Sequence, residues 1–431
     1  MKTIYLDNVR GFSETYVDLL DVNFLVGENS SGKTSFLGIA KILAESQFWF
    51  NAELSTDLGW SQFSDFVSVH GTNKSYFRIG LIDTEYRDRD SKEAEYMAIL
   101  LTFEAREGSP SIKEIYVQRG QFLARAKLTS KGYVASFIEA AQLTQNQNRP
   151  FGSWLNADSW QLAQGEESKI PRDAPLFFVL FVLMQLKRGE KEKNSGSTSL
   201  PMALADSMVW IAPIRTKPKR TYDEYKLDFS AEGEHTPYLL KKLLSRKTTK
   251  KNATDFQKFL LRFGAESGLF KSVEIKKFGR GVNSPFQIEV VLSSASLSLL
   301  NVGYGVSQSL PIAVEVFARP EKTTFAIQQP EVHLHPRAQA ALGEVFFNLA
   351  VAESKKFIIE THSDYLMDRF RLKLTESKQK PTTQIIFFER TATGNAVSQM
   401  PIGPDGDILG DVPDGYRRFF VNESVRMLSL G

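Results

Sequence analysis

Gly27-Glu28-Asn29-Ser30-Ser31-Gly32-Lys33-Thr34 follows the apolar run Val22–Val26 (VNFLV) and opens the helically spaced stretch Thr34–Glu45 (TSFLGIAKILAE). These eight residues match G-x-x-x-x-G-K-[ST] in full, in the strand–loop–helix setting the pattern needs. Its glycines let the backbone wrap closely around phosphate groups, with amide N–H groups turned inward. The helix N-terminus that follows adds a partial positive charge. In this pattern the Lys33 ammonium reaches β- and γ-phosphates and the Thr34 hydroxyl holds Mg²⁺.

Three further stretches carry chemistry, all in the last third of the chain. Thr323–Pro336 (TTFAIQQPEVHLHP) reads as a buried strand ending in polar residues, the form of a Walker B strand. Such a strand is expected to end in an acid that helps hold Mg²⁺, followed by a carboxylate that orients water. Here Gln328 and Gln329 stand at those places, and Glu331 is the nearest acid. An amide carbonyl can ligate a metal weakly, but it cannot accept a proton. Phe357–Ser363 (FIIETHS) puts His362 at the tip of an apolar strand, the ligand edge of an open α/β sheet. Asn301–Gln308 (NVGYGVSQ) combines Gly303, Gly305, Ser307 and Gln308 at the start of a helix, a composition suited to an anion site. An ordinary strand-to-helix turn has a similar sequence.

Around these motifs the chain of 431 residues has 42% hydrophobic and 24% charged residues. That is enough for a large buried core and argues against a disordered chain. It contains no cysteine, which excludes disulfides, thiolate nucleophiles, cysteine zinc sites and iron–sulfur clusters. The balance of 53 Lys+Arg against 50 Asp+Glu, formally +3, does not demand a nucleic-acid partner. The N-terminus (MKTIYLDNVRGF) has no signal-peptide pattern. The most apolar run, Leu176–Leu186, has 11 residues where a membrane span needs roughly 20, so it reads as a buried helix. These features together predict a soluble, cytoplasmic protein without a membrane partner.

Strands are expected at Thr3–Val9, Val22–Val26, four times between Tyr76 and Lys127 as an antiparallel extension, and again across Ser272–Ser298. Residues 133–270 read as mostly helical, broken by the polar stretch Arg188–Ser199. Residues 323–388 alternate strand and helix, which argues for a largely parallel sheet. This gives three expected segments: 1–132 with the Gly-rich loop and β extension, 133–270 as an inserted helical lobe, and 271–431 with the remaining motifs. No heptad run is long enough for a long coiled-coil arm.

In this order the motifs resemble the ABC-type ATPases of the SMC/RecF/OLD kind, in particular the OLD-like ATPases of antiphage defence systems. The phrases VGYGVSQSLPI, PEVHLHP and THSDYL carry the resemblance, with WIAPIRTKPKRTY at Trp210–Tyr222, EGEHTPYLL at Glu232–Leu240, and the closing PIGPDGDI and VPDGYRRFF. The resemblance implies an ABC-type P-loop ATPase head with a mixed sheet, an antiparallel β extension and an inserted helical lobe. It implies ATP and Mg²⁺ as ligands and a head-to-head dimer, or a higher homo-oligomer, in which Gly27–Thr34 of one subunit faces Gly303–Gln308 of the other. Catalytic positions would be Gln328, Gln329, Glu331 and His362, the last sensing the γ-phosphate. The metal would be held by Thr34, by Gln328 and by Gln62 (in WSQFSDFV), with Arg10 near the nucleotide.

Two departures from the pattern matter. Related sequences carry an acid where Gln328 stands. A Glu→Gln exchange keeps shape and removes charge, as in a trapped ATP-bound state, and natural and engineered origins are both open. Hydrolysis is therefore expected to be slowed or blocked. OLD proteins also carry a C-terminal Toprim nuclease, for which residues beyond Phe388 leave no room, so the expected effector, a nuclease or toxin, is a separate protein. A nucleic acid or a phage protein is the expected class of trigger. A RecF-like DNA clamp and a non-hydrolysing nucleotide-bound scaffold are the competing readings. The basic stretches Arg215–Arg220 and Lys241–Lys251 are either solvated surface or phosphate contacts. His333 and His335, at i,i+2, would sit at the dimer seam, or alternatively share a strand face as metal ligands.

Overall fold

Apolar residues at Val22–Val26 form a fully buried strand, Val22–Gly27, at the centre of a six-stranded sheet in the computed structural model. The structure describes residues 2–54, 59–71, 73–86, 95–119, 122–139, 149–163, 169–186, 208–223, 228–245, 250–281, 284–293 and 295–418. The chain divides into two compact units, 1–20, 28–207 and 388–399 in one, and 21–27, 208–387 and 400–431 in the other.

The second unit is built on parallel strands. In sheet order these are Met208–Ile211, Thr324–Gln328, Lys356–Glu360 and Val22–Gly27; Thr383–Thr391 and Gly394–Ile402 follow in the same sheet and are divided between the two units. Registers place Gln328 opposite Glu360 and Glu360 opposite Leu25, so three strands end at one carboxyl edge. A strand buried on both faces should be a continuous apolar run, and TFAIQ and KFIIE are such runs apart from their polar tips. Helices Tyr304–Ala318, Pro336–Glu353 and Asp364–Glu376 connect or flank these strands. The core gathers Phe24, Phe325, Phe346, Phe357 and Phe370, with Phe325 stacked on Phe357 at 5.5 Å. A separate three-stranded antiparallel sheet is made by Ser272–Lys277, Phe286–Val291 and Ser296–Ser298.

The first unit is dominated by a nine-stranded sheet. Its antiparallel strands Phe77–Tyr86, Glu95–Arg106, Ser109–Arg119 and Phe122–Thr129 are the β extension expected from the sequence, and Gly132–Glu139 adds a fifth strand to the meander. Helix Leu176–Gln185 buries Val179, Leu180 and Leu183, as its apolar run requires.

Residues 133–270 differ from the expected helical lobe and are shared between the two units. Gly132–Glu139 completes the meander and Met208–Ile211 joins the parallel sheet, so strand pairing overrides the helical pattern at both places. Among the described residues the helical part consists of Phe151–Leu155, Leu176–Gln185, Thr236–Leu243 and Lys250–Ser267. Arg188–Ser199 lies outside the described residues, as do residues 246–249 of the second basic stretch. Strand Gly394–Ile402 was not expected. Among the described residues no helix is long and apolar enough to cross a membrane.

Candidate functional site

Gly27 leaves the sheet at the carboxyl edge with φ 144°, and the loop beyond it places Ser30 at φ 62° and Gly32 at φ 102°. Only glycine adopts the last of these without strain. A Cβ on Gly32 would lie 2.6 Å from both Asn395 Nδ2 and Phe12 Cζ. Glu28, Asn29 and Ser30 are exposed, whereas Ser31 and Lys33 are buried. The Glu28 carbonyl accepts from Ser31 Oγ at 2.8 Å and from Lys33 Nζ at 2.6 Å. Lys33 is therefore curled over its own loop. Helix Lys33–Ala44 begins with no side-chain cap and no acid in its first turn, so its own sequence places no negative charge at its positive end. The exposed Thr34 lies in that first turn.

Arg10, itself at φ 44°, donates from Nε to Ser35 Oγ at 2.9 Å and lies over the Trp60 ring at 4.2 Å. Burial pulls its pKa below the ordinary arginine value, and Asp65 partly offsets this. A guanidinium thus stands beside the first turn of the P-loop helix. Gln62 is exposed and begins the short helix Phe63–Phe66, where its N–H donates to Asp65 Oδ2 at 2.8 Å.

In the second unit the edge formed by Gln328 and Glu360 is polar and buried. Gln328 Nε2 donates to Glu360 Oε2 at 3.0 Å, with both residues 5% exposed. Glu360 is the acid that reading the motif one strand at a time passes over, because only the sheet register brings it to Gln328. Glu331 accepts from Thr361 Oγ1 at 2.9 Å and from the His362 N–H at 2.7 Å. Burial pushes its carboxyl above the usual range, against the pull of these hydrogen bonds and of Arg215.

Arg215 completes the cluster. It is 2% exposed and donates from Nη2 to the Gln328 carbonyl at 3.0 Å and the Gln329 carbonyl at 3.4 Å. Its Nε and Nη1 are buried without hydrogen-bond partners. Burial lowers its pKa to about 10, with Glu331 acting the other way. The sequence flagged Arg215 only as part of a basic stretch, and its burial separates it from Lys217, Lys219 and Arg220, which are exposed.

The structure thus brings Gln328, Gln329, Glu331, Glu360, Thr361, His362 and Arg215 to one edge. His333 and His335 do not share a strand. His333 is an exposed loop residue at φ 64°, and His335 caps helix Pro336–Glu353, its Nδ1 accepting from Ala338 N at 3.4 Å. Among the described residues no group of three or more His, Cys, Asp or Glu could hold a metal ion.

The Gly-rich Asn301–Gln308 stretch forms the N-terminus of helix Tyr304–Ala318 with Gly303 as its cap residue. Gly305 is closely approached, since a Cβ there would lie 3.2 Å from the His333 carbonyl oxygen. Ser307 and Gln308, expected to face an anion, are buried, and Ser307 Oγ donates to the Tyr304 carbonyl at 2.9 Å. What this turn offers to a ligand is therefore backbone, with Tyr304 55% exposed beside it.

A parallel sheet whose central strand runs into a G-x-x-x-x-G-K-T loop and helix is the architecture of the P-loop α/β class. A family model described as "AAA domain, putative AbiEii toxin, Type IV TA system" matches residues 22–368, most of the chain, and the chain belongs to that family. No curated protein matches. Similar solved structures include an SMC head domain from Thermotoga maritima, at 10% identity and TM-score 0.42, covering 93% of this chain and 98% of that one. Another is an Smc head domain with an extended coiled coil, bound to the C-terminal domain of ScpA, from Pyrococcus furiosus. It shows 9% identity and TM-score 0.43, with 100% of this chain and 99% of that one covered.

Proposed function

We propose that the chain is an ATP-driven switch of the ABC type. It binds ATP and Mg²⁺ at Gly27–Thr34, closes head-to-head with a second copy, and controls a separate effector in an antiphage defence assembly. The observation that carries this reading is the P-loop strand itself: it ends at the same sheet edge as Gln328 and Glu360 and feeds a loop with left-handed Gly32 and an uncapped helix start. The residues fit the ligand. The helix start and Lys33 supply positive charge for phosphates, and Arg10 lies one residue beyond Thr34, on Ser35. Each unit offers donors suited to a hard cation: the Thr34 hydroxyl in the first, and the Gln328 amide oxygen and Glu360 carboxylate in the second, are oxygen donors of the kind Mg²⁺ takes. Bound Mg²⁺ would neutralise charge on β- and γ-phosphate oxygens.

The chain's own residues then have separate tasks. Lys33 releases the Glu28 carbonyl and turns to phosphate. Glu331 holds the Thr361–His362 backbone, which aims His362. Arg215 holds the carbonyls of Gln328 and Gln329 and so fixes the loop that positions water. With amides at 328 and 329, Glu360 and Glu331 are the acids this edge has for accepting a proton. Binding is expected to survive better than hydrolysis, because phosphoryl transfer depends mostly on positioning and charge.

ATP turnover by the purified chain, beside Gln328→Glu and Lys33→Ala, tests the reading. The parent should be slow, Gln328→Glu faster by about tenfold or more, and Lys33→Ala unable to bind ATP. Binding of ATP by Lys33→Ala as tight as the parent's would remove the P-loop assignment. The family's description favours a second reading, in which the chain is itself the toxin of a toxin–antitoxin pair. Growth arrest on expression of this chain alone, relieved by Lys33→Ala, would select it.

A further inference from the structure

We propose that a cleft beside helix Tyr304–Ala318 is an effector site for a small organic acid, an aromatic or apolar body bearing one anionic group. The cleft opens to solvent between helix Tyr304–Ala318 and the segment that follows Arg215. Its floor is apolar: Tyr222, Tyr238, Leu299 and Leu310 line it and are buried, with the two tyrosine rings edge-to-face at 6.1 Å. Phe286 packs against both rings from within the core, at 5.4 and 5.6 Å, and makes this floor rigid.

Two polar features point to what the ligand's body carries. Thr236 lines the cleft and is 3% exposed, yet its Oγ1 has no hydrogen-bond partner. A buried hydroxyl left unmade is costly, and a ligand acceptor would satisfy it. At the mouth, Lys217 and Lys219 are exposed, and neither ammonium has a partner among the described residues. Glu234 is the one acid of the lining, so cation exceeds anion there. A neutral ligand would leave the lysines unused, and a bare inorganic anion would leave the apolar floor wet.

The location gives the site a consequence. One wall is the helix of the Gly-rich turn, through Ser307, Leu310 and Pro311. Pro311 lacks the N–H that would bond the Ser307 carbonyl, which weakens the helix at the cleft. The other wall is Thr216–Tyr222, which directly follows Arg215, the residue holding the Gln328 and Gln329 carbonyls. Filling the cleft therefore acts on both the Gly-rich turn and the Gln328–Gln329 loop. The regulatory consequence rests on the ATPase reading, whereas binding does not.

The experiment uses the full chain and 2-naphthoate, titrated calorimetrically, with a fluorescent ATP analogue titrated separately. One naphthoate should bind per chain. Lys217→Glu with Lys219→Glu should weaken it by about tenfold, the loss of charge-assisted contacts. Thr236→Val, which keeps shape, should weaken it by about threefold. Both variants should bind the ATP analogue as the parent does, and naphthoate should shift the analogue's affinity in the parent alone. Naphthoate binding that differs less than twofold between the parent and the double-lysine variant overturns the proposal, as does displacement by a duplex oligonucleotide, which would make the lysines a nucleic-acid contact. Naphthoate binding in a chain that binds no ATP analogue would sink the ATPase reading and leave the cleft standing.

Discussion

Gln328 and Glu360 face each other across two neighbouring strands at 3.0 Å, amide to carboxylate. The amide gives this buried carboxylate an N–H to accept from, which another carboxylate would not. In Gln328→Glu two carboxyls would share that space, and one would hold its proton to higher pH. A carboxyl raised in the folded state gives stability that is complete below its unfolded value, ordinarily about 4.3, and lost as pH rises through the folded value. Gln328→Glu should therefore melt below the parent at pH 8 without divalent cations, and recover on acidification to pH 5 or on adding Mg²⁺ with ATP. Thermal scans over pH check this, and a midpoint indifferent to Mg²⁺ and ATP would remove position 328 from the metal site. Glu331 and Arg215 pose the opposite problem, a buried pair in which burial disfavours the charged form of each. Removing one partner strands the other, so Arg215→Ala should cost about 3–5 kcal/mol in chemical denaturation. Glu331→Gln keeps an acceptor for Thr361 and should gain stability relative to the parent as pH rises from 4.5 upward, because the parent loses its folded-state proton over that window. A parent–variant difference flat from pH 4.5 to 8 would refute the raised value. The sequence presented Glu331 as the nearest acid, which is true along the chain. Glu360 was printed in the same motif as His362, yet its partnership with Gln328 depends on a register between strands 32 residues apart, which periodicity does not encode.

Elements whose burial is all on one pattern were legible. The strands at Val22–Gly27, Thr324–Gln328 and Lys356–Glu360 and the four-strand meander from Phe77 to Thr129 fall where apolar runs and turn residues put them. Helix Asp364–Glu376 starts at Ser363, whose Oγ accepts from Leu366 N at 3.1 Å, a cap readable as Ser before an apolar run. Gly394–Ile402 was missed because its sequence, GNAVSQMPI, is mostly polar and carries a proline. It is the last strand of the six-stranded sheet, an edge where proline is tolerated. Helix–helix contacts were equally hidden. Gly343 lies mid-helix in Pro336–Glu353, where glycine costs propensity. Its reason is tertiary: a Cβ there would lie 2.2 Å from the Leu366 carbonyl oxygen. Backbone cannot rotate away as a side chain can, so Gly343→Ala should destabilise by about 1–3 kcal/mol despite the better helix former. The same helix pair is tied electrostatically at Glu344, where burial raises the carboxyl but Arg369, Lys373 and Arg262 outweigh it and hold it below its ordinary value. Urea denaturation of Gly343→Ala checks the packing claim, and unchanged stability would mean the two helices part freely.

At the scale of the whole molecule, the proposed dimer has to be argued from what each chain leaves exposed for another. Ser307 and Gln308 are buried, so recognition by the Gly-rich turn falls to the first N–H groups of helix Tyr304–Ala318, which has no side-chain cap and no acid in its first turn. Such an end is a half-charge waiting for an anion, and the γ-phosphate held by a second copy is the anion the reading supplies. Leu300 at 43% and Tyr304 at 55% exposure flank the turn and give that contact apolar area. A formal charge of only +3 on 431 residues does little to oppose association of two copies. Sedimentation velocity should therefore show a monomer without nucleotide and a dimer with ATP and Mg²⁺. Gly303→Glu separates this from indirect effects. A Cβ at Gly303 meets nothing within 4 Å, so the variant should fold, and an acid at a helix start is mildly stabilising in itself. That same charge would meet the partner's phosphate and repel it. Gly303→Glu should bind ATP like the parent and remain a monomer, whereas Lys33→Ala should lose both properties. If Gly303→Glu dimerises with ATP as readily as the parent, the Gly-rich turn does not face a phosphate, and the two copies meet through some other surface.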